Sequence, residues 1–515
     1  MNGAEALIQT LSENGVEVCF ANPGTSEMQL VAAIGQHHSM RAILGLFEGV
    51  VTGAADGYSR MTDKPAATLL HLGPGLANGL ANLHNAKRAR TPVINIVGDH
   101  AVEHLQYDAP LTSDVAAVAG PMSDWVRTST SPSDLAQAGA EAVVAAQTYP
   151  GQIATVIAPG DHAWTEGATV AAPARIPAAP KVTDADIERA AAALKKPGQS
   201  TLYLGGRALR EDALFQAGRI AAATGARLIC ENLPARLQRG AGRVPVERLA
   251  YFGEMALDQL KPMQQIVFVG AKPPVAFFAY PGKPSWLSPA EAELVELADA
   301  YVDAEDTLRR LADALAAPAE PAYVQQAANH TYEEGPLTTE TAGIITAQLL
   351  PDNAVVSDES CTSGGPFYRY TADAPKHDWL VLTGGSIGQG LPLAVGAAVA
   401  CPDRKVVALQ ADGSGMYTVQ ALWTMARENL DIVTIIMKNN SYAILNIELD
   451  RVGVTDAGDK ALSLLDLSSP ILDWVSISEG LGVPAKRATT TQEFHAALTE
   501  AMSGSGPRLI EAVLA

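Results

Sequence analysis

An acidic residue and an asparagine follow two neighbouring apolar runs in the last third of this chain. Asp412 lies three residues after a continuous apolar run at 406–409, and Asn439 lies two residues after a second run at 432–437. Both runs suit buried strands, and residues 417–430 between them have helical periodicity. Because parallel strands end at one edge of a sheet, we expect the two side chains to lie close together. A carboxylate, an amide oxygen and a backbone carbonyl together suit Mg²⁺, which keeps open positions for phosphate.

The spacing of this pair resembles the signature of thiamine diphosphate enzymes, in which a Gly-Asp-Gly turn is followed along the chain by Asn-Asn. Ala411 replaces the first glycine here. Aligning Tyr442 with the tyrosine of the family makes Asn439 and the Ser441 carbonyl the ligands that accompany Asp412. The other alignment uses Asn440 and the Tyr442 carbonyl instead. Without the resemblance, both segments are also consistent with ordinary turns.

Glu48 begins a segment whose small residues predict a closely packed helix at 49–60. Taken alone, an acid at this place indicates only a favourable helix N-terminus. The segment continues as Ala-x-Gly-Tyr-x-Arg at 55–60, which resembles the same family. In that family a glutamate in this setting hydrogen-bonds the aminopyrimidine ring, so the resemblance implies that Glu48 helps to activate the cofactor.

His71 ends a predicted strand and precedes a Gly-Pro-Gly turn. This setting resembles benzoylformate decarboxylase, in which a histidine transfers protons near the substrate, and histidine suits that role near neutral pH. A purely structural histidine at a strand end is the alternative. The resemblance also makes Thr25, in the Asn-Pro-Gly-Thr turn at 22–25, a candidate substrate contact. His100 follows the strand predicted at 93–97 and is a further candidate.

Glycines at 73, 75 and 79 support a rival hypothesis, a dinucleotide-binding turn. Asp99 ends the next predicted strand, where a ribose-binding acid would lie. The rigid Pro74 and the preceding His71 argue against that hypothesis. It also leaves Glu48 and Asp412 without a role.

The remaining cofactor contacts are expected in the last third of the chain. Small polar residues after the strand at 354–357 suit phosphate binding, and in the family the corresponding loop approaches the diphosphate. A Gly-rich turn at 383–390 holds Ile387, which matches the aliphatic wedge that bends the cofactor in the family. The resemblance implies these cofactor-binding residues: Glu48, Ser360, Cys361, Thr362, Gly385, Ile387, Gly413, Ser414, Tyr442, Ala443 and Ile444.

Two Ala/Pro-rich stretches, at 171–180 and 316–321, divide the chain and predict extended linkers. Each of the three segments alternates short β-branched runs with helical patterns, which indicates parallel α/β sheets. We therefore predict three doubly wound domains, at 1–170, 181–316 and 330–515. The family resemblance implies that the first is a pyrimidine-binding domain, the second a central domain and the third a diphosphate-binding domain.

The composition of the chain limits the binding partners and the cellular compartment that we expect for the protein. The chain has 515 residues, 48% of them hydrophobic, and a net charge of −20, which argues against nucleic acid. The four cysteines are scattered, which favours neither zinc nor a disulfide framework. No signal peptide or membrane span is visible, so we expect a cytoplasmic protein.

The resemblance implies decarboxylation or carboligation of a small 2-oxo acid, dependent on thiamine diphosphate and Mg²⁺, by a lyase or transferase. Three alternatives stay open: an acetolactate-synthase-like ligase of pyruvate, a catalytically silent cofactor-binding homologue, and an NAD(P)-dependent dehydrogenase. Phe278-Ala279 stand where benzoylformate decarboxylase has a second histidine. The Arg-Phe-Asp-Asp-Arg stretch of acetohydroxyacid synthases is absent, so we expect no FAD. In the family two subunits share each cofactor, which implies a homodimer or homotetramer with interfacial active sites.

Overall fold

Three β-sheets organise the molecule. The structure is a computed structural model that describes residues 1–173 and 175–515. In that part of the chain the strands are β1 (Val18–Asn22), β2 (Arg41–Leu44), β3 (Ala66–Leu70), β4 (Val93–Asp99), β5 (Trp125–Thr128), β6 (Ile153–Pro159), β7 (Gln199–Leu204), β8 (Arg227–Cys230), β9 (Leu237–Arg239), β10 (Glu247–Arg248), β11 (Met263–Val269), β12 (Glu293–Ala298), β13 (Ala354–Glu359), β14 (His377–Val381), β15 (Val406–Ala411), β16 (Ile432–Lys438), β17 (Ala485–Ala488) and β18 (Arg508–Val513).

Helices separate nearly all consecutive strands, as parallel sheets require. They are α1 (Gly3–Glu13), α2 (Met28–Gln36), α3 (Glu48–Thr62), α4 (Leu72–Ala89), α5 (Val115–Ala119), α6 (Pro132–Gln147), α7 (Gly160–Trp164), α8 (Asp184–Leu194), α9 (Glu211–Thr224), α10 (Gly253–Leu260), α11 (Ala304–Ala314), α12 (Thr339–Leu349), α13 (Gly365–Tyr370), α14 (Gly390–Ala400), α15 (Asp412–Gly415), α16 (Ala421–Arg427), α17 (Ala443–Arg451), α18 (Gly458–Leu462), α19 (Trp474–Gly480) and α20 (Thr491–Ser503).

The strand orders are those of doubly wound sheets, which confirms the predicted fold class. The first sheet runs β2-β1-β3-β4-β6-β5, the second β10-β8-β7-β11-β12, and the third β17-β18-β16-β15-β13-β14-β9. In the third sheet β15 and β16 are neighbours, with Ala411 beside Met437. The residues that follow these two strands therefore emerge side by side at one edge.

One strand departs from the purely parallel prediction. β9 comes from the central segment but pairs antiparallel with β14 of the third sheet, with Arg239 beside His377. The buried Arg243 guanidinium holds this edge by donating to the carbonyl oxygens of Arg239 and His377, at 3.0 and 2.7 Å. A three-residue strand has too little periodicity to be predicted from its sequence.

The first and third sheets share one hydrophobic core through α3, α4 and α14. Glycines allow α3 and α14 to cross at backbone contact. A Cβ on Gly396 would lie 1.9 Å from the carbonyl oxygen of Ala54, and one on Gly57 would lie 2.1 Å from that of Leu393. The small residues predicted to give close packing after Glu48 thus fix the Glu48 helix against the helix that follows the Gly-rich turn.

The predicted domain limits at 170, 181–316 and 330 each fall between elements of different sheets. The exception is β9, which lies within 181–316 but belongs to the third sheet. We propose these positions as the domain limits. Ala174, within the predicted linker at 171–180, lies outside the described residues. Among the described helices, none combines the length and the apolar character that crossing a membrane requires.

Candidate active site

Asp412 lies at the edge where β15 and β16 end. Its side chain is 2% exposed. Oδ2 accepts hydrogen bonds from the backbone N–H groups of Asn439 and Asn440, at 3.1 and 2.7 Å, and Oδ1 accepts one from Gly413 at 2.8 Å. Burial raises the pKa of Asp412, while these backbone donors lower it. The loop after β16 is therefore tied directly to the carboxylate that follows β15.

The oxygen atoms around Asp412 fit a small hard cation. A carboxylate offers about four acceptor positions, so three hydrogen bonds leave room for one more ligand. Asn439 Oδ1 accepts from the Ser441 N–H at 3.0 Å and keeps a second lone pair. Within residues 1–173 and 175–515, no hydrogen bond reaches the Ser441 carbonyl oxygen. These are the oxygen donors that Mg²⁺ prefers.

Asn440 also has properties of a functional residue. Its φ is +54°, a left-handed conformation that asparagine tolerates, and its buried Oδ1 has no hydrogen-bond partner among the described residues. The Tyr442 carbonyl of the same alignment already accepts from Leu445 N–H at 2.9 Å. The unpaired amide favours Asn440, whereas the free Ser441 carbonyl favours Asn439, so both alignments persist.

The other expected contacts after β15 and β16 surround this carboxylate. The Tyr442 ring packs on Gly413, where an added Cβ would lie 2.6 Å from Tyr442 Cε1. Ser414 is 3% exposed, and its hydroxyl accepts from Gln410 Nε2. Ala443 and Ile444 begin α17 and are half-buried. The loop therefore offers a ligand backbone groups and the side chains of Tyr442 and Ile444 rather than free polar side chains.

The predicted phosphate contacts in the loop after β13 are of two kinds, buried and exposed. Ser360 is buried, and its hydroxyl donates to Asp358 Oδ1. Cys361 and Thr362 are exposed, and the φ of Cys361 is +52°. The short 3-10 turn at Cys361–Ser363 also touches α17. Cys361 and Thr362 thus remain accessible to a ligand, whereas Ser360 is occupied within its own loop.

Glu359 organises the Gly-rich turn and was not among the predicted site residues. It is 2% exposed, and its carboxylate accepts from the backbone N–H groups of Gly388, at 2.7 Å, and Gly390. Burial raises the pKa of Glu359, and these donors oppose that effect. Gly385 and Gly388 have φ values of +72° and +96°, which favour glycine, and Ile387 stands half-buried between them.

Side chains of α4 clamp the same turn from the first domain. Asn82 Nδ2 donates to the carbonyl oxygens of Gly49, at 2.7 Å, and Gly388, at 3.2 Å. Asn85 donates to the Ser386 carbonyl at 2.7 Å and accepts from the Ser386 N–H at 3.2 Å. The beginning of the Glu48 helix and the turn that holds Ile387 are therefore joined through one buried asparagine.

Glu48 is half-buried at the N-terminus of α3. Asn78 Nδ2 donates to Glu48 Oε2 at 3.0 Å. A Cβ on Gly75 would lie 3.3 Å from Glu48 Oε1 and 3.4 Å from His71 Cβ, so both side chains lie close to this glycine. The structure thus brings Glu48 and His71 together beside Gly75.

His71 contacts a buried acid, Glu27. His71 Nδ1 lies 2.8 Å from Glu27 Oε2, which also accepts from the Gly24 N–H at 2.7 Å. Glu27 is fully buried, and its Oε1 has no partner among the described residues. Burial raises the pKa of Glu27, and His71 opposes that effect. Leu72, directly after His71, has φ +49°, a strained conformation for leucine that is typical of functional sites.

Thr25 and His100 lie on loops beside this pair. Thr25 is exposed in the 3-10 turn at Thr25–Glu27. His100 follows β4, and its buried Nε2 has no hydrogen-bond partner among the described residues. A Cβ on Gly98 would lie 1.7 Å from Glu27 Oε1, so the end of β4 closes over the glutamate. All four predicted catalytic residues thus belong to the first domain.

The glycines of the rival nucleotide hypothesis have packing roles. Gly75 makes room for Glu48 and His71, as described above. A Cβ on Gly79 would lie 2.8 Å from Thr52 Cγ2, so Gly79 lets α4 approach α3. Side chains of α3 therefore lie next to Gly75 and Gly79. The rival hypothesis placed a pyrophosphate at this position.

Aromatic side chains of the central domain reach the Gly-rich turn. A Cβ on Gly385 would lie 2.7 Å from Phe277 Cζ, and Phe277 meets Phe278 edge-on at 5.0 Å. Phe277 and Phe278 are 43% and 53% exposed, so they are not part of the buried core. Tyr280 donates to Glu448 Oε2 of α17 at 2.7 Å. The central domain thus supplies an apolar rim beside both loops of the third domain.

Comparison with known proteins identifies the family. The N-terminal and C-terminal binding domains of thiamine pyrophosphate enzymes match residues 1–118 and 363–512. A Mycobacterium tuberculosis protein named "Putative acetolactate synthase large subunit IlvX" is 53% identical, covering 100% of this chain and 99% of that protein. The chain belongs to the thiamine pyrophosphate enzyme family.

More distant members share the full length of this thiamine pyrophosphate enzyme. Benzoylformate decarboxylase of Pseudomonas aeruginosa is 27% identical, covering 98% of this chain and 97% of its own. The solved structure of a thiamine diphosphate-dependent 4-hydroxybenzoylformate decarboxylase from Rhodococcus jostii has a TM-score of 0.86 at 24% identity, covering 100% and 99% of the two chains. That structure shares the fold. Family membership also makes the nicotinamide hypothesis wrong.

Several residues of the site were not predicted from the sequence as functional. They are Glu27, Asn78, Asn82, Asn85 and Glu359. Glu27 has a local signal, because it is the acid three residues after Gly24 in a capping arrangement. The three asparagines have none, since their partners lie on α3 or in the third domain.

Proposed function

We propose that the protein binds thiamine diphosphate together with Mg²⁺ and catalyses decarboxylation or carboligation of a small 2-oxo acid. The observation that carries this proposal is the buried Asp412 carboxylate joined by two hydrogen bonds to the Asn439–Asn440 loop. A carboxylate with so little exposure to solvent is further stabilised by a positive partner, and a divalent ion would supply one. The names of relatives, benzoylformate decarboxylase and acetolactate synthase, support 2-oxo-acid chemistry.

Asp412, the Asn439 side chain and the Ser441 carbonyl would hold Mg²⁺, and the remaining positions of the ion would face the diphosphate. Cys361 and Thr362 would contact the diphosphate from the loop after β13. Ile387 would support the cofactor from the Gly-rich turn, because its branched side chain is stiff and Glu359 fixes the backbone that follows it. When bound, thiamine diphosphate supplies the nucleophilic carbon and the electron sink that decarboxylation needs.

Glu48 would hold a proton against the ring nitrogen of the aminopyrimidine. Asn78 orients the Glu48 carboxyl through the 3.0 Å hydrogen bond to Oε2. The other oxygen, Oε1, faces Gly75 and stays available. A carboxyl group can share a proton with a ring nitrogen, whereas an amide in its place has no acidic proton to share.

His71 would transfer protons to and from the substrate. Its Nδ1 faces the Glu27 carboxyl, which leaves Nε2 to act on a ligand. The ring is 23% exposed on the side chain, so it can reach a bound molecule. Glu27 would orient the ring and favour one tautomer, as a buried carboxylate does for a histidine base. Thr25 and His100 would line the substrate side of the same edge.

The acetolactate-synthase-like alternative has a specific observation in its favour. The relative at 53% identity bears that name, whereas the decarboxylase relative is 27% identical. Both reactions begin with loss of CO2 from a 2-oxo acid and differ in what captures the product. The exposed Phe277 and Phe278 would present an apolar surface beside the site, which suits either outcome.

We further propose that the protein is a homodimer or homotetramer in the cytoplasm. Large apolar side chains are exposed close to the site residues in sequence, including Met28 at 48%, Leu46 at 46%, Met416 at 36% and Tyr417 at 53%. Exposed apolar surface of this kind marks contact with another protein. The four cysteines are all free, which is consistent with a reducing compartment.

Chelation and reconstitution test the proposal. Purified protein is treated with EDTA, dialysed, and assayed for CO2 release from pyruvate, phenylglyoxylate and other small 2-oxo acids. We expect activity only when thiamine diphosphate and Mg²⁺ are both restored. Detection of acetolactate from pyruvate would favour the ligase. Cofactor binding without turnover of any 2-oxo acid would contradict the proposal and favour the silent homologue.

A further inference from the structure

A cavity lined by arginines lies away from the active site, where the first domain meets the central domain. Five arginines line it: Arg60, Arg90, Arg207, Arg210 and Arg236. The parts contributed by the first domain precede β3, β4 and β6, so the cavity lies at the sheet edge opposite to Glu48 and His71. Its volume is about 40 Å³. One water needs roughly 10–15 Å³ on this measure, so the cavity holds more than one water.

Positive charge in the cavity exceeds the negative charge that contacts it. Arg60 pairs with Asp56, and Arg236 pairs with Asp378, so these two guanidinium groups are neutralised. Asp63 is the only carboxylate among the described lining residues, and both Arg207 and Arg210 approach its Oδ1, at 3.5 and 3.2 Å. Arg90 lies over the ring of Tyr301 and also lowers the pKa of Glu231, which burial raises. The lining therefore has more guanidinium groups than carboxylates.

Arg210 shows directly that the cavity has too few acceptors for its guanidinium groups. Its Nη2 donates to Asp63, but its buried Nε and Nη1 have no hydrogen-bond partner among the described residues. Burial, followed by repulsion from Arg236, lowers the pKa of Arg210 to about 10. A buried charged donor without a partner is costly, so an acceptor in the cavity would stabilise the fold.

Water would satisfy the free donors but not the excess charge. A tetrahedral oxyanion supplies several acceptor oxygens and negative charge within a small volume, and guanidinium groups bind such ions through paired donors. Arg207 and Arg210 belong to the central domain, whereas Arg90 and Asp63 belong to the first. An ion between them would therefore connect the two domains.

We propose that this cavity is a binding site for a tetrahedral oxyanion, either free inorganic phosphate or the phosphate group of a nucleotide, held by Arg207 and Arg210. The site is independent of the proposed reaction. Its occupation links the first and central domains and raises the stability of the folded protein.

Thermal unfolding of the holoenzyme tests the site. The protein is first saturated with thiamine diphosphate and Mg²⁺, so that added anions cannot act through the diphosphate site. Phosphate, sulfate and chloride are then titrated at constant ionic strength. We expect phosphate and sulfate to raise Tm saturably by about 2 °C or more, and chloride to leave it unchanged. AMP and adenosine distinguish the sources: AMP acting at lower concentration than phosphate, with adenosine inert, identifies a nucleotide.

Two variants and a control complete the test. Arg210→Gln and, separately, Arg207→Gln should each abolish the saturable Tm rise. Arg189→Gln removes the same charge from an exposed pair on α8 and should keep the rise. The proposal fails if wild-type protein shows no saturable rise, or if both cavity variants keep it. Use of two variants guards against one of them failing to fold.

Discussion

At the scale of single residues, three strained backbones mark the three loops of the candidate site. Leu72, Cys361 and Asn440 have φ values of +49°, +52° and +54°. The first follows His71, the second lies in the loop after β13, and the third contacts Asp412. Left-handed backbone in residues other than glycine costs free energy and persists where surrounding contacts determine it, as in functional sites.

Glu48→Gln should abolish turnover by at least about 100-fold. The amide keeps the size of the side chain and can still accept from Asn78, but it has no acidic proton to share. Steady-state assays should show the loss, while calorimetry should show thiamine diphosphate binding close to wild type. Glu13→Gln, at an exposed position on α1, is the control and should be fully active. Turnover near wild type in Glu48→Gln would remove Glu48 from the mechanism.

Two asparagine variants decide which residue binds Mg²⁺. Asn439→Ala should raise the Mg²⁺ concentration needed for half-activation by about tenfold or more, because it removes one oxygen ligand. Asn440→Gly keeps the backbone donor to Asp412 and suits φ +54°, so it should change that concentration little. Metal titrations of both variants measure the difference. The reverse result would assign the metal to Asn440 and the Tyr442 carbonyl.

Glu27→Gln should slow turnover through His71. Without the carboxylate that orients the ring at Nδ1, kcat should fall on the order of tenfold in steady-state assays. His71→Ala should lower kcat at least as much. If His71→Ala lowers kcat but Glu27→Gln leaves it unchanged, His71 transfers protons without help from Glu27.

Glu27→Gln should also change how the free energy of unfolding depends on pH. Burial raises the pKa of Glu27 above its unfolded value, so stability from its proton is present below the unfolded pKa. That contribution is lost as pH rises through the folded pKa. The free energy of unfolding should therefore fall less in Glu27→Gln than in wild type as pH rises from the unfolded pKa of Glu27 through its folded pKa. Urea unfolding at several pH values measures it.

At the scale of elements, the crossing of α3 and α14 positions Glu48 relative to the Gly-rich turn. Sequence patterns alone revealed that Glu48 is followed by small residues suited to close packing. They did not reveal which helix packs there, because α14 lies far along the chain and contacts α3 only in the folded state. Asn82, which bridges the two elements, was missed for the same reason.

Gly396→Ala should destabilise the protein by about 2 kcal/mol or more, since the new Cβ would meet backbone of α3 rather than a flexible side chain. Gly35→Ala is the matched control in α2, where an added Cβ meets nothing within 4 Å. The control should be neutral or more stable by roughly 0.5–1 kcal/mol, because alanine favours helix. Chemical denaturation measures both. Equal stability of the two variants would show that the helices can separate without cost.

At the scale of the whole molecule, the proposed subunit sharing of the cofactor predicts complementation between inactive variants. Glu48→Gln and Asp412→Ala, co-expressed, should regain about a quarter of wild-type activity if each active site combines Glu48 of one chain with Asp412 of another. Random pairing yields half mixed dimers, and each of those has one intact site. Each variant expressed alone is the control and should stay inactive. No recovery in verified mixed dimers would mean that both residues of a site belong to one chain.

Local sequence signals are enough to identify the family, the doubly wound sheets, and the segments that form the candidate site. These follow from local signals: apolar runs of strand length, turn residues, and motifs at short spacing around Glu48 and Asp412. β9 could not be predicted because three residues show no periodicity, and its pairing with β14 joins residues far apart in the sequence.

Only the tertiary structure decided which groups meet across the chain. The burial of Glu27 against His71, the clamp of α4 on the Gly-rich turn, and the arginine cavity all join residues from separate elements. Each of these residues is ordinary in its local sequence. Their properties arise from removal of water and from partners that packing supplies, and neither is encoded in the spacing of neighbours along the chain.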